Sequence, residues 1–334
     1  MLEGNNIAMK VWTEKVEGHG EDAPPLLIMK GNACAVGVFD GMGGSGAALC
    51  ESDYGDGYTK AYVASRIVAS SVDDFLNNHL PTDDASAEDL KVVIKRRLDD
   101  EQEKYPPKTK SSLRSKLVRE YPTTLAIVTL QEQDMGLRVD SYWAGDSRCY
   151  LWTKDGFFQI SKDDLEEDND PMDNLRNDAA ISNCICGDRI FQINHKQFDI
   201  KKNPVIIICA TDGCFGYFPT PMHFEFILKR SLQEAKDKSD WQERIEKSIQ
   251  KVTGDDASLA LIGIGFDNFK QVKSMAKKQI YGFDKIWQHE LKIKRLKIEL
   301  EKETDSYGHS IKSGWEKYKK QYMMYINDYN NGDA

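Results

Sequence analysis

The sequence lacks several features that would settle its class at once. It has no run of about 18 apolar residues, so no segment is expected to cross a membrane as a helix. Its opening, MLEGNNIAMK, has neither the basic start nor the apolar stretch of a signal peptide. A basic excess is missing too: 45 lysines and arginines face 54 aspartates and glutamates, a net charge of −9. Binding to phosphate backbones needs a positive field, so nucleic acid is not an expected partner. The six histidines form no HExxH or comparable ligand pair. There is no GxSxG nucleophile elbow. GMGGSG (41–46) has no Lys-Ser/Thr after it, which excludes a P-loop. The seven cysteines are odd in number, and Cys34, Cys149 and Cys209 sit inside apolar runs. They read as small buried hydrophobes in a reducing compartment, and a cytoplasmic location is expected. Cys184 and Cys186 are two apart, which is not a zinc-site spacing.

What is present describes a globular protein. Of its 334 residues 40% are hydrophobic and 30% charged, enough for a sizeable core. Apolar, β-branched runs bounded by turn residues predict strands at 7–12, 33–39, 123–130, 137–144, 148–153, 156–160, 191–195, 204–210 and 258–266. Between Phe39 and Thr123 the apolar spacing changes to three and four, which predicts two amphipathic helices. Met222–Leu232 and Trp241–Val252 predict another pair. Strands, two helices, strands, two helices and a last strand suggest layers: mostly antiparallel sheets with helices outside. The strand-rich part ends near Phe266. From Lys270 the chain turns lysine-rich and helical, with Ile280, Phe283, Ile286, Ile293 and Leu300 near one face. SYGHSIKSG (306–314) is expected to break this helix before a second, aromatic one reaching about Tyr329. The final NNGDA is expected to be disordered. The tail reads either as an appendage packed on the core or as a helical hairpin for a protein partner or self-association.

The most informative stretch is VGVFDGMGGSG (36–46). An apolar run stops at Asp40 and glycines follow. One reading is a strand and a glycine-rich turn. The other is a ligand placed where backbone must come close to something. The same arrangement recurs. IIICATDG (206–213) ends at Asp212, YWAGDSR (142–148) carries Asp146, and Asp255 and Asp256 precede the run SLALIGIGF. Glu21 and Asp22 lie in another glycine-flanked turn, GHGEDAPP. Sheet ends gather in space, and gathered carboxylates cannot all stay ionised without a cation. Hard divalent ions such as Mg²⁺ or Mn²⁺ take oxygen ligands. Gly41 would let a backbone carbonyl approach such an ion. An acidic site holding two metals is a route to phosphate-ester hydrolysis by an activated water, with no protein nucleophile.

This ordered set resembles the metal-dependent protein phosphatases, the PPM-type or protein phosphatase 2C serine/threonine phosphatases. VFDGMGG is similar to the family's DGHGG or DGMGG element, AGDSRCYLW to its GDSR strand, CATDGCFGYF to its SDG element, and GDDASLALIGI to its terminal DN-x-T-V strand. AYVASRIV resembles the first core helix, PTTLAIV the strand after it, and ISNCICGD, weakly, the segment before the second acidic strand. The likeness spans about residues 5–268. It implies an α+β fold, a four-layer αββα sandwich of two antiparallel sheets flanked by helices, with a phosphatase domain at 1–268 and a helical C-terminal extension at 270–330. It also implies hydrolysis of phosphoserine and phosphothreonine in proteins with two Mg²⁺ or Mn²⁺ ions. On that likeness Asp40 bridges both metals, the Gly41 carbonyl binds one, Asp212 and Asp255 hold the other, and Glu21 with Asp22 contacts metal through water. Asp146 is expected to fix a turn.

Several positions depart from the family pattern. Met42 stands where many members have histidine, and methionine cannot donate a proton to a leaving alkoxide. Glu17 stands where the phosphate-binding arginine belongs, and a carboxylate there repels phosphate. Lys15 or His19 is the candidate substitute. Arg119 and Glu120 stand near the position of a third-metal aspartate, so that third site is not supported. The segment Ile160–Ile190, where the family carries its substrate flap, is short and acidic. The alternative function is a phosphatase fold retired to binding or regulation. The lost arginine argues for it, and the concentrated charge of Asp40, Asp212 and Asp255 argues against it.

Overall fold

The structure is a computed structural model, and it describes residues 6–55, 57–81, 86–106, 118–166, 170–174, 180–277, 279 and 283–330. Ile280 and the terminal residues after Asn330 lie outside the described residues, as do parts of the acidic segment between Ile160 and Ile190. The chain forms two compact units, Met1–Gln279 and Ile280–Ala334.

In the first unit the chain runs β1 (Ile7–Thr13), β2 (Leu26–Lys30), β3 (Ala33–Val38), the turn α1 (Gly43–Gly46), β4 (Leu49–Cys50) and β5 (Tyr58–Thr59). Helices α2 (Lys60–His79) and α3 (Ala87–Lys104) follow, then β6 (Leu125–Glu132), β7 (Leu137–Ala144), β8 (Arg148–Thr153) and β9 (Gly156–Gln159). After α4 (Pro171–Asn174) come β10 (Asn194–Ile200), β11 (Val205–Ala210), α5 (Asp212–Phe215), α6 (Pro221–Glu234), α7 (Lys238–Gln250), β12 (Ala257–Ile264) and α8 (Phe269–Lys277). One sheet has the order β1-β12-β11-β8-β9 and the other β10-β7-β6-β3-β2, with every pairing antiparallel.

The layering follows from strand alternation. Cys34, Val36 and Val38 of β3 meet Val205, Ile207 and Cys209 of β11 and Ala260, Ile262 and Ile264 of β12 in the core between the sheets. The opposite face of β3, with Ala33 and Ala35, packs with Phe39 under Val63, Val68 and Val72 of α2 and Leu90, Ile94 and Leu98 of α3. On the outer face of the other sheet Trp152 meets Trp241 of α7 edge to face at 6.4 Å, and both are fully buried. The first unit is therefore the αββα sandwich that the family resemblance implied. Strand β2 was missed: LLIMK is short, follows two prolines and has only one buried residue, so its run looks like a loop. Strand β10 begins at Asn194, later than the predicted FQINH.

The first unit extends past the change of composition at 268–270. Helix α8 buries Val272 and Ala276, Phe269 lies 6.2 Å from the Trp241 ring, and Trp152 Nε1 donates to Gln279 Oε1 at 2.8 Å. Among its described residues the second unit is formed by one helix, α9 (Asp284–Asn330), 47 residues long. The break expected at 306–314 is absent. Gly308 and Gly314 each cost roughly 1 kcal/mol in a helix, and the helix runs through both. No described helix is long and apolar enough to cross a membrane.

The boundary is testable by truncation. Ending the chain after Gln279 should leave the urea midpoint of the first unit unchanged. Ending it after Asn268 should lower its stability by at least about 2 kcal/mol, because buried Val272 and its neighbours are lost.

Candidate active site

Strand registers bring the carboxylates to one end. Val38 of β3 pairs with Ala126, and Leu125 pairs with Ala144, so Asp40 lies beside the Gly145–Asp146 turn. That turn crosses into the other sheet, where Arg148 pairs with Ala210, Ala210 with Leu259, and Ala257 with Thr13. Asp146, Asp212, Asp255 and the loop holding Glu21 and Asp22 therefore share one edge of the sandwich.

Main-chain contacts then fix each position. The Asp40 carbonyl accepts from Thr123 Oγ1 at 2.7 Å and from the Thr124 amide at 2.8 Å, and Gly41 bridges to Thr123. A Cβ on Gly41 would stand 2.5 Å from the Ala61 carbonyl oxygen and 2.6 Å from that of Glu21. Only glycine lets the loop run this close to helix α2. A Cβ on Gly43 would stand 1.8 Å from Glu21 Oε2, so the Glu21 carboxylate fills the space the glycine leaves. Thr59 caps α2 by accepting from the Tyr62 amide and donates its hydroxyl to Glu21 Oε1 at 2.6 Å. A Cβ on Gly213 would stand 1.8 Å from the Asp256 carbonyl oxygen, which sets Asp212 against the Asp255–Asp256 loop.

Repulsion dominates the electrostatics. Burial pushes the Asp40 carboxyl well up, and Asp22, Asp212, Asp146 and Asp255 push it further. Asp212 is raised by burial and then by Asp255, partly offset by a hydrogen bond shared with Asp40. Asp22, 1% exposed, is pushed up to about 8 by burial, with repulsion from Asp212 and Asp256 added and bonds from Ser258 and Thr211 opposing. Asp146 is likewise pushed up to about 8 by burial and by Asp212. Glu21 is raised by burial first, with Thr59 opposing. Asp146 Oδ1 is buried with no hydrogen-bond partner.

The donor chemistry fits divalent cations: carboxylate oxygens that suppress one another's ionisation, one of them orphaned, around glycines that keep the space clear. Among the described residues no three histidine, cysteine, aspartate or glutamate side chains are gathered tightly enough to clasp an ion unaided. Mg²⁺ and Mn²⁺ retain several waters and need only one or two direct carboxylates.

Some residues matter in ways the sequence did not reveal. Asp256 is a clamp: its Oδ1 accepts from the Lys15 amide at 2.7 Å and its Oδ2 from the Glu21 amide at 2.6 Å. Arg66 of α2 stacks on Tyr62 and donates to the Gly20 carbonyl at 2.9 Å, holding the Glu21 loop from the other side. The turn role foreseen for Asp146 falls to Asp164, which accepts from the Gly145 amide at 3.1 Å and from Asn183 and Asn194. At the third-metal position Arg119 donates to Cys184 Sγ and the Ile181 carbonyl, and Glu120 pairs with Lys60. Lys15 and Glu17 line an open cleft of about 660 Å³ with Trp12, Glu14 and Asp255. His19 is outside that lining and sits 5.5 Å from the Tyr58 ring.

A family model for protein phosphatase 2C matches residues 17–252. The chain belongs to the protein phosphatase 2C family. Among curated proteins none matches it by sequence. Solved structures share the family's fold at low identity. The Mycobacterium tuberculosis serine/threonine phosphatase PstP/Ppp is 14% identical, with 78% of this chain and 99% of that one covered and a TM-score of 0.54. Stp1, a serine/threonine phosphatase from Staphylococcus aureus, is 15% identical over 79% and 97%, at a TM-score of 0.53. The PstP catalytic domain in complex with two manganese ions is 13% identical over 78% and 100%, at a TM-score of 0.50.

The raised carboxyls have a stability consequence for the metal-free protein. Asp22 and Asp146 bind protons more tightly folded than unfolded, so their contribution is fully present below about pH 4. It is lost as pH rises through about 8. Thermal midpoints of chelator-treated protein should fall across that window. Asp146→Asn should flatten the fall and raise stability at pH 8 by at least about 1 kcal/mol.

Proposed function

We propose that the protein hydrolyses phosphoserine and phosphothreonine in phosphorylated proteins, using two Mg²⁺ or Mn²⁺ ions at the Asp40–Asp212 edge. The observation that carries this reading is the convergence of Asp40, Asp146 and Asp212, mutually suppressed in ionisation, with Asp146 Oδ1 orphaned. Asp40, the Gly41 carbonyl, Asp212 and Asp255 would hold the ions, with Glu21 and Asp22 behind them. Ions held there would supply an acidified water and charge neutralisation for the phosphoryl oxygens.

The protein's own groups do the rest. Asp256 and Arg66 hold the Glu21 loop in place, Thr123 fixes the Asp40 main chain, and Thr59 orients Glu21. Lys15 offers the cleft a positive charge beside Glu17, which favours phosphate carried on a basic peptide over a small, highly anionic ester. Met42 has no proton to give, so the leaving alkoxide takes its proton from water in the open cleft. A cytoplasmic signalling role fits free, mostly buried thiols. The described C-terminal helix is left for a protein partner.

The test is release of phosphate from p-nitrophenyl phosphate and from a phosphothreonine peptide with Mn²⁺. Asp40→Asn and Asp212→Asn should each reduce kcat/KM by roughly 100-fold or more, and chelation should abolish turnover. Protein that binds Mn²⁺ yet turns over neither substrate would sink the enzyme reading and leave the binding module.

A further inference from the structure

Helix α9 spans about 70 Å at 1.5 Å per residue. Along it Ile293, Leu296, Leu300, Tyr307, Ile311, Trp315, Tyr318 and Tyr322 are all exposed. Their positions follow one rule: steps of three, four and four, with Thr304 the single polar member. That is an eleven-residue repeat, 3.67 residues per turn, which keeps a stripe on one face of an almost straight helix. The Trp315, Tyr318 and Tyr322 rings already lie along it, Trp315 and Tyr322 at 5.7 Å. Leu291, Ile298, Met323 and Met324 lie off the stripe. An exposed stripe of this length marks an interaction surface.

We propose that α9 pairs antiparallel with α9 of a second copy of this chain. From Ile293 to Tyr318 the stripe matches its own reverse, and Tyr322 falls opposite His289. Run against itself, Ile293 meets Tyr318, Leu296 meets Trp315, Leu300 meets Ile311, and Thr304 meets Tyr307 at the centre. Smaller aliphatic side chains in the first half thus face larger ones in the second. The flanking charges match in the same register. Lys297 comes opposite Glu316, and Glu301 opposite Lys312, each twice by symmetry, and all four are exposed. The other flank sets Glu299 against Ser310 and Glu303 against Ser306. Like charges meet only in the outer Ile293–Tyr318 layer, where Lys294 comes opposite Lys319 and Lys292 opposite Lys317. A parallel pair would turn Lys312 and Glu316 toward Ser310 and Gly314 and set Lys319 against Lys317, so none of these charges finds an opposite one. Charge pattern at such flanks sets orientation. The inference uses α9 alone and does not depend on the phosphatase reading.

Sedimentation equilibrium of the full chain at micromolar concentration should give the mass of two chains. Any other mass overturns the proposal. Leu300→Asp should give monomer with the thermal midpoint of the first unit unchanged. A dimer that survives Leu300→Asp places the interface elsewhere and also overturns it. Lys297→Glu should weaken the dimer roughly tenfold, since two exposed pairs become repulsive. Adding Glu316→Lys should restore it. The two positions are too far apart along one helix to touch, so rescue must be between chains. A dimer weakened by Lys297→Glu and not rescued by Glu316→Lys excludes the antiparallel register.

Discussion

Asp40 and Asp212 end strands of opposite sheets, and both carboxyls are buried among other carboxylates that push them up. Like charges at this spacing do not all ionise, so the edge either stays partly protonated or gains a cation. Much of the surrounding structure serves to hold them there regardless. Thr123 and Thr124 bind the Asp40 carbonyl, Gly41 runs against helix α2, and Gly213 lets Asp212 meet the Asp256 backbone. The two sheets supply the frame: inward-facing Val36, Val38, Ile207, Cys209 and Ile262 fix their stacking, and the strand ends follow.

The adjacent aspartates 255 and 256 divide two tasks. Asp256, 9% exposed, spends both oxygens on the amides of Lys15 and Glu21. Asp255 stays exposed and faces the open cleft. A buried carboxylate that accepts charge-assisted bonds from two amides is a strut. An exposed one beside Asp212 remains available for a ligand. Arg66 completes the strut from helix α2, so the Glu21 loop is held by an anion on one side and a cation on the other.

The fold was legible because alternation and helical spacing are local. The gathering of Asp40, Asp212 and Asp255 at one edge was legible because each stands at the end of a strongly apolar run beside a glycine or a second aspartate. Asp256 and Arg66 were not, because their partners are distant in sequence: Asp256 to Lys15 spans 241 positions and Arg66 to Gly20 spans 46. Asp146 was expected to fix a turn on the family likeness. Asp164, which accepts from the Gly145 amide, arrives from 19 positions away, inside the short acidic segment. Strand β2 was lost for a similar reason, since its register with β3 and not its composition makes it a strand.

The C-terminal helix shows the opposite failure, a local rule applied too strictly. Two glycines and a serine-rich stretch suggested a break, and the face traced through Ile293 and Leu300 was not followed beyond it. The eleven-residue repeat runs straight through Gly308 and Gly314, so the glycines belong to the pattern. Most helical stability in proteins comes from covering an apolar face rather than from propensity. A 47-residue helix that carries two glycines and exposes eight large apolar side chains in register has spent propensity and left its face uncovered. Gly308 follows Tyr307 at the centre of that face, and no atom lies within 4 Å of where its Cβ would be. In the antiparallel pair this open position flanks the Thr304–Tyr307 layer, where two tyrosine rings must pass each other. A larger residue there would favour the lone helix, and glycine leaves room for the second one.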